Sequence, residues 1–193
     1  MKAKYGDCFH RGIIMNQKLN DLWEKYYKKV YDIRHQIHMN PELGFEEYET
    51  SKLVASELEK LGIEVTKNVA KTGVVGLIKG GYSGKTVALR ADIDALSINE
   101  ETDFEFKSKV SGVMHACGHD GHTASLLGVA MMLNEIKDEL HGNVKLIFQP
   151  AEEVEGGALP MIKEGVLENP KVDAVFGGHL WGSIEEGKVA VKH

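Results

Sequence analysis

The eleven residues Met114–Ala124, MHACGHDGHTA, contain one thiol, three imidazoles and one carboxylate at the start of a predicted helix. Thiolate, imidazole and carboxylate groups are the ligands that zinc and similar divalent cations prefer. A single cluster at the start of a helix supplies two such ligands but rarely a complete set. We therefore expect further ligands from other segments, and both FQPAEE (Phe148–Glu153) and GGH (Gly177–His179) contain suitable side chains. Together the three segments indicate a metal-dependent hydrolase.

Two helices are predicted near the beginning of the chain. Apolar residues recur at three- and four-residue spacing over residues 16–41, which indicates one face of a long amphipathic helix. Residues 1–15 are expected to form a loosely ordered leader. A second helix is predicted over Glu47–Leu61, with Tyr48 on its inward face and Gly62 as its C-terminal stop.

Strands and helices alternate in the remainder of the chain. The predicted elements are strands at Ile63–Lys67, Gly73–Lys79 and Thr86–Ala91, a helix at His119–Leu140, a strand at Asn143–Gln149, a short helix at Ala158–Glu164 and a buried strand at Val172–Phe176. The glycine-rich segment KGGYSGK (Lys79–Lys85) predicts a hairpin turn between the second and third strands. This alternation predicts an α/β fold, with a mixed sheet in a three-layer α/β/α domain.

Acidic and imidazole side chains follow three of these strands. Asp92 and Asp94 come after one strand, Glu152 and Glu153 after another, and His179 after the last. In open α/β sheets, functional groups gather at the carboxyl ends of the strands. The sequence therefore predicts that these side chains lie along one edge of the sheet.

The chemistry of a metal-dependent hydrolase explains why two glutamates stand side by side. One carboxylate of the pair Glu152 and Glu153 can ligate a cation while its neighbour stays free as a general base, which takes a proton from water and passes it to the leaving amine. A dinuclear site holds two ions about 3.5–4 Å apart and needs a bridging ligand. Cys117 suits that role, because the dipole of the helix that follows is expected to favour its thiolate.

Five motifs resemble those of the M20 metallopeptidase family and occur in the same order: HMNPELGFEE (His38–Glu47), LRADIDAL (Leu89–Leu96), MHACGHDGHTA, FQPAEE and GGH. The chain is similar to the amidohydrolase branch, which includes aminoacylase-like carboxypeptidases, hippurate hydrolases, N-acetyldiaminopimelate deacetylases and plant auxin-conjugate hydrolases. The resemblance extends from about Tyr31 to the last residue. It implies hydrolysis of the amide bond in N-acyl amino acids or related conjugates.

The resemblance also implies roles for individual residues. Two divalent ions, of zinc, manganese, cobalt or nickel, would be held by a set of four ligands: Cys117 as the bridge, His119, Glu153 and His179. Glu152 would be the general base, and Asp94 would orient the metal centre from behind the ligands.

Full-length members of the family are longer and insert a satellite domain that is used for dimerisation. Residues 16–193 are therefore expected to be the N-terminal portion of the catalytic domain, which stops before that satellite domain. Full-length relatives are expected to be homo-oligomers.

Other interpretations remain open for several of these residues. Cys117 could be the nucleophile of a thiol hydrolase, with His119 or His122 as its base, or the chain could bind metal without turnover. His115 and His122 are expected to be structural, with contact to substrate as the alternative for His122. Asp120 is expected either to cap the helix or to meet the metal.

Composition narrows the possible partners. The chain has 193 residues, a net charge of −6 and no basic patch, which argues against nucleic acid and anionic membrane surfaces. No apolar run approaches the roughly 18–20 residues of a membrane span. Two cysteines do not make a disulfide framework, so we expect a reducing, cytoplasmic environment. The small-molecule substrate, an N-acyl amino acid, is what the family resemblance implies.

Overall fold

The computed structural model describes residues 3–154 and 156–191, with side chains from Met15 onward. Its helices and strands are α1 (Ala3–Met39), α2 (Tyr48–Lys60), β1 (Glu64–Val69), β2 (Gly73–Lys79), β3 (Tyr82–Asp92), α3 (His119–Glu135), β4 (His141–Gln149), α4 (Ala158–Lys163) and β5 (Ala174–Gly177). A single 3₁₀ turn, Lys137–Glu139, connects α3 to β4. In the described part of the chain, none of the helices combines the length and the apolar character that a membrane crossing requires.

Helix α1 begins earlier than the sequence indicates. Its helical backbone starts at Ala3, whereas the apolar periodicity begins near residue 16. The side chains of residues 1–14 lie outside the described residues, so the loosely ordered leader and the division at residue 16 stay predictions. The helix ends at Met39, shortly before Pro41, as expected because proline has no N–H to donate and its ring obstructs a continuing helix.

Helix α2 agrees with its prediction to within one residue at each end, but its first residue does not face inward. Val54 and Leu58 are fully buried against the sheet, and Gly62 follows the helix with a φ of +70°. Tyr48, predicted to face inward, is 56 % exposed. Its ring instead lies below the ammonium group of Lys71, 5.8 Å from the ring centre, on the outer side of the first helical turn.

The five strands form one mixed sheet in the order β1-β2-β4-β3-β5. Strands β3, β4 and β5 are parallel to one another, while β1 and β2 form an antiparallel extension next to β4. This arrangement confirms the predicted α/β fold with a mixed sheet.

The predicted hairpin between β2 and β3 is wrong, because β4 lies between these two strands. The glycine-rich connection crosses the beginning of β4 at close range. Gly80 donates its N–H to the Gly142 carbonyl at 3.0 Å, and Gly81 donates to the Lys137 carbonyl at 2.9 Å. A Cβ atom on Gly80 would lie 2.2 Å from the Gly142 oxygen. These glycines therefore permit one backbone to pass close to another. A tight turn also favours glycine, so the sequence alone does not distinguish a hairpin turn from such a crossing.

The two faces of the sheet are covered unequally. Helices α1, α2 and α3 pack on one face and form the main apolar core, which includes Leu127 and Phe148. On the other face, Met161 of α4 and Val166 pack against the sheet residues Ala88 and Ile147. The molecule thus has three layers, one of which consists of a short helix and the turn after it.

Strand β5 differs from its prediction as a buried strand. Within the described residues it pairs only with β3, and all four of its residues are exposed, including Phe176 at 60 %. Its position at the edge of the sheet, rather than its apolar composition, decides its exposure.

The parallel alignment brings three strand ends together. The carboxyl ends of β3, β4 and β5 lie at one edge of the sheet, where Asp92 pairs with Gln149 and Arg90 pairs with Gly177. Thr123 of α3 donates its hydroxyl to the Asp92 carbonyl at 2.9 Å, so the first turns of α3 lie at the same edge.

Candidate metal centre

His119, the first residue of α3, is 1 % exposed and has a defined tautomer. Its Nδ1 lies 3.0 Å from the carbonyl oxygen of Asp94 and 3.1 Å from the Asp94 carboxylate. Both partners are acceptors, so Nδ1 carries the proton of the neutral imidazole, and Nε2 then keeps its lone pair. This Nε2 is buried without a hydrogen-bond partner and lies 3.6 Å from Glu153 Oε1.

Asp94 lies directly behind His119, as the sequence predicts for a residue that orients the centre. Its second carboxylate oxygen accepts the backbone N–H of Glu153 at 2.9 Å. Burial raises the pKa of Asp94, but hydrogen bonds from His119 and from the Glu153 and Glu152 backbones outweigh this effect and lower the pKa overall. One carboxylate thus holds both an imidazole and the loop after β4.

Glu152 and Glu153 stand on the loop that leaves β4 at Pro150. Glu153 is partly buried, and its Oε1 has no hydrogen-bond partner, while Glu152 is exposed. The two carboxylates and His119 each offer one ligand atom, and these atoms lie within 4.8 Å of one another. The exposed glutamate is therefore beside the centre and open to a ligand from solvent.

Cys117 and His179 complete a second group with His119. The Cys117 Sγ lies 3.5 Å from the His179 Nε2, and ligand atoms of all three residues lie within 4.8 Å of one another. The His179 Nδ1 donates to the Leu180 carbonyl at 2.6 Å, which leaves the Nε2 lone pair directed at the thiol. The structure thus brings together all six residues that the sequence predicts for the site.

The pKa of the Cys117 thiol is raised, whereas the sequence predicts a stabilised thiolate. Burial raises its pKa to about 11, and the negative charges of Glu153, Asp92 and Glu152 add to the increase. The expected stabilisation of the thiolate by the helix dipole is outweighed, because the thiol is partly buried and three carboxylates lie nearby. A divalent cation among these groups would reverse the sign of the local charge and favour the thiolate.

The donor atoms fit a divalent cation. The His119 Nε2 and Glu153 Oε1 are both buried, both accept rather than donate, and face each other without a donor between them. Buried acceptors without partners cost free energy, and a cation would compensate both. A set of sulfur, nitrogen and oxygen donors suits zinc and also the neighbouring first-row metals.

Asp92, which the sequence places at this edge without a role, and His122, which it expects to be structural, are two further members of the site. Ligand atoms of Asp92, His122 and His119 lie within 4.8 Å of one another. Burial raises the pKa of Asp92, but His122 at 2.6 Å and the Arg90 guanidinium at 2.6 Å lower it to about 2. The position of Asp92 at a strand end predicts its place at this edge, and the helical spacing of His119 and His122 is the signal that places His122 beside the centre.

Asp120 neither caps α3 nor reaches the metal centre. The N-cap residue is Gly118, and no side chain caps this helix. The Asp120 carboxylate instead accepts hydrogen bonds from Arg34 at 3.1 Å and His38 at 3.0 Å. His115 is buried, and its two ring nitrogens have no hydrogen-bond partner among the described residues, so its structural role stays a prediction.

Comparison with known proteins shows the family to which this chain is similar. The sequence signature described as Peptidase family M20/M25/M40 matches residues 88–193. Thermostable carboxypeptidase 2 of Saccharolobus solfataricus is 57 % identical over 166 residues, which cover 84 % of this chain and 42 % of the relative. The hippurate hydrolase of Campylobacter jejuni is 54 % identical over 147 residues, which cover 76 % of this chain and 38 % of the relative.

A solved structure shares the fold. The YXEP protein of Bacillus subtilis, described as a dinuclear metal-binding peptidase from the M20 family, superimposes with a TM-score of 0.83 at 46 % identity. The match covers 88 % of this chain and 47 % of that protein. The chain thus spans about two fifths of the length of the two curated relatives and a similar share of the solved structure. On its sequence signature, fold and motifs, it belongs to peptidase family M20/M25/M40.

Proposed function

We propose that this chain carries the metal centre of an amidohydrolase that cleaves the amide bond of N-acyl amino acids or related conjugates. The observation that supports the proposal most is that ligand atoms of Cys117, Glu153 and His179 lie close to the imidazole of His119. The Nε2 of His119 is buried and has no hydrogen-bond partner. The names of the relatives, a carboxypeptidase and a hippurate hydrolase, point to the same class of substrate.

Four residues would hold two divalent ions of zinc, manganese, cobalt or nickel: Cys117 as the bridge, His119, Glu153 and His179. Bound ions of this kind would act as Lewis acids on the substrate carbonyl and make water more acidic. Asp94 keeps the proton on the His119 Nδ1, and therefore keeps the Nε2 lone pair available for a ligand bond.

Glu152 is the proposed general base. Its carboxylate is exposed and has an oxygen within 4.8 Å of a ligand atom of His119 and of Glu153. From there it would take a proton from the attacking water and deliver it to the nitrogen of the leaving amino acid. Glu153, which is partly buried beside it, would remain a ligand.

A thiol hydrolase is less consistent with the geometry. The Nε2 of His122 already accepts the Leu180 N–H, so this imidazole is not free to take a proton from Cys117. Burial and the nearby carboxylates also raise the pKa of the thiol, whereas a nucleophilic cysteine needs a lowered pKa.

The remaining assignments follow from the same proposal. The partner is a small N-acyl amino acid, and the full-length relatives are expected to be homo-oligomers. Residence in the cytoplasm stays a prediction from the cysteine content. The assignment of residues 16–193 to the N-terminal portion of a catalytic domain also stays a prediction, from the family resemblance.

Elemental analysis tests the metal centre first. After dialysis against trace zinc and manganese, we expect about two ions per chain, and fewer in Cys117→Ala. Cys8→Ala, the same substitution at the other cysteine of the sequence, serves as the control. A metal content that is near zero, or equal in the Cys117→Ala variant, contradicts the proposal.

Hydrolysis of N-acyl amino acids by the loaded chain then tests Glu152. We expect Glu152→Gln to keep its metal and to lose about 100-fold or more of the rate, because the amide cannot accept the proton. Chelator should abolish the activity and added cation should restore it. Activity that survives chelation but not alkylation of Cys117 would favour the thiol hydrolase instead.

A further inference from the structure

His122 lies one helical turn after His119 and uses both of its ring nitrogens. Its Nε2 accepts the backbone N–H of Leu180 at 2.8 Å. A backbone N–H can only donate, so the lone pair is on Nε2 and the proton is on Nδ1. This proton is donated to Asp92 Oδ1 at 2.6 Å. Neither nitrogen of His122 is free to ligate a metal ion in this arrangement.

The backbone of Leu180 connects His122 to His179. The Leu180 N–H is donated to His122, while its carbonyl accepts the proton of the His179 Nδ1 at 2.6 Å. The Leu180 side chain lies over the first turn of α3, where a Cβ on Gly121 would approach its Cδ1 to 2.6 Å. Leu180 therefore fixes the tautomer of His179 and anchors this loop to α3.

His179 itself stands on an exposed segment. Strand β5 ends at Gly177, and His179 and the described residues after it, 180–191, are exposed. The ring of His179 packs edge-on against His122, with 4.6 Å between the ring centres. The buried His122 thus supports an exposed segment in which two glycines, Gly177 and Gly178, directly precede His179.

We propose that His122, held by Asp92, is a positioning residue that directs the His179 Nε2 toward Cys117. This inference rests on the proposed function, because the direction of His179 matters only if it ligates a cation. The His179 Nδ1 donates to the Leu180 carbonyl, the Leu180 N–H donates to the His122 Nε2, and the His122 Nδ1 donates to Asp92. The first of these bonds keeps the His179 proton on Nδ1 and leaves the lone pair of its Nε2 free. Partners of this kind orient a ligand before the metal arrives.

Zinc affinity, measured by competition with a chromophoric chelator, tests the role of His122. We expect His122→Leu to bind zinc about 10–100-fold more weakly than the wild-type chain. Gln can reach the Leu180 N–H and still donate to Asp92, so His122→Gln should recover most of the affinity. Asn is too short to reach Leu180, so His122→Asn should be as weak as His122→Leu.

A matched control and a spectrum separate positioning from general damage. His141→Leu makes the same substitution at the first residue of β4, at the end of the strand away from the metal centre. There the His141 ring stacks on Tyr82, with 4.7 Å between ring centres, and its loss should leave zinc affinity unchanged. In the cobalt-substituted chain, His122→Leu should alter the ligand-field bands while the thiolate charge-transfer band from Cys117 persists.

The outcomes are distinguishable. Wild-type affinity and an unchanged cobalt spectrum in His122→Leu overturn the inference and leave the proposed function standing. Equal losses in the Gln, Asn and Leu variants also overturn it, because they would make His122 a ligand. If His122→Leu does not fold, the contrast between Gln and Asn decides the question. A wild-type chain that binds no zinc overturns the proposed function and this inference together.

Discussion

At the scale of single residues, Glu47 shows how a buried carboxylate supports the site from a distance. It is fully buried, and its two oxygens accept the Ala151 backbone N–H at 2.8 Å and the Thr72 hydroxyl at 2.5 Å. The Ala151 carbonyl in turn accepts the Gly156 N–H at 2.9 Å. Ala151 has a φ of +49° and directly precedes Glu152, so these bonds hold the loop after β4 in an unfavourable backbone conformation.

The titration of Glu47 predicts how stability depends on pH. Burial raises its pKa above the ordinary 4.5, although Thr72 and backbone N–H groups offset part of the increase. The native state therefore binds this proton more tightly than the unfolded chain, and the free energy of unfolding falls as pH rises through the raised pKa. Glu47→Gln lacks this dependence. In urea titrations at about pH 4 and about pH 8, the stability of the wild type relative to Glu47→Gln should fall with pH. A difference that stays constant or rises would contradict the assignment.

At the scale of secondary-structure elements, the insertion of β4 between β2 and β3 determines the sheet. It places β4 parallel to β3, so that the loops with Asp94 and Glu153 leave the same edge. Gly142 marks the crossing, with a φ of +90° and a position at which a Cβ would lie 1.9 Å from the Lys85 carbonyl oxygen. Only a glycine fits this close approach of two backbones.

Substitution of Gly142 tests this topology. Gly142→Ala should lower the free energy of unfolding by about 3 kcal/mol or more, because the backbone conformation and the contact with Lys85 are both unfavourable. Gly62→Ala is the matched control, since Gly62 has a φ of +70° but nothing within 4 Å of its Cβ position. It should cost about 1 kcal/mol, for the backbone conformation alone. Equal costs in chemical denaturation would argue against the crossing.

At the scale of the whole molecule, the site joins parts of the chain that are far apart in sequence. Cys117 and His119 stand at the start of α3, Glu153 follows β4, and His179 follows β5. A cation bound to all of them would link these elements in the native state and have no comparable site in the unfolded chain. Metal binding and global stability should therefore be coupled.

Thermal unfolding with and without zinc tests this coupling. At a free zinc concentration 100 times the dissociation constant, binding adds about 2.7 kcal/mol, which corresponds to a midpoint about 5–10 °C higher for a chain of this size. Cys117→Ala should lose most of that increase, and Cys8→Ala should keep it. An equal increase in both variants would mean that zinc binds elsewhere.

The sequence by itself determined the chemical groups of the site and most of the elements that carry them. The donors in MHACGHDGHTA, FQPAEE and GGH, and the strands that precede them, follow from residue type and local periodicity, which depend on neighbours in the chain. For the same reason the boundaries of β2 agree with their prediction, and α2 ends at Lys60, one residue before its predicted end and two before Gly62.

Only the tertiary structure decided which elements are neighbours and what each buried group contacts. Strand order cannot be read from local patterns, so β4 separates β2 from β3, and the apolar strand β5 lies exposed at an edge. The raised pKa of Cys117 and the engagement of His122 by Leu180 likewise come from groups distant in sequence. Electrostatic and hydrogen-bond effects depend on distance in space, which the chain acquires only when it folds.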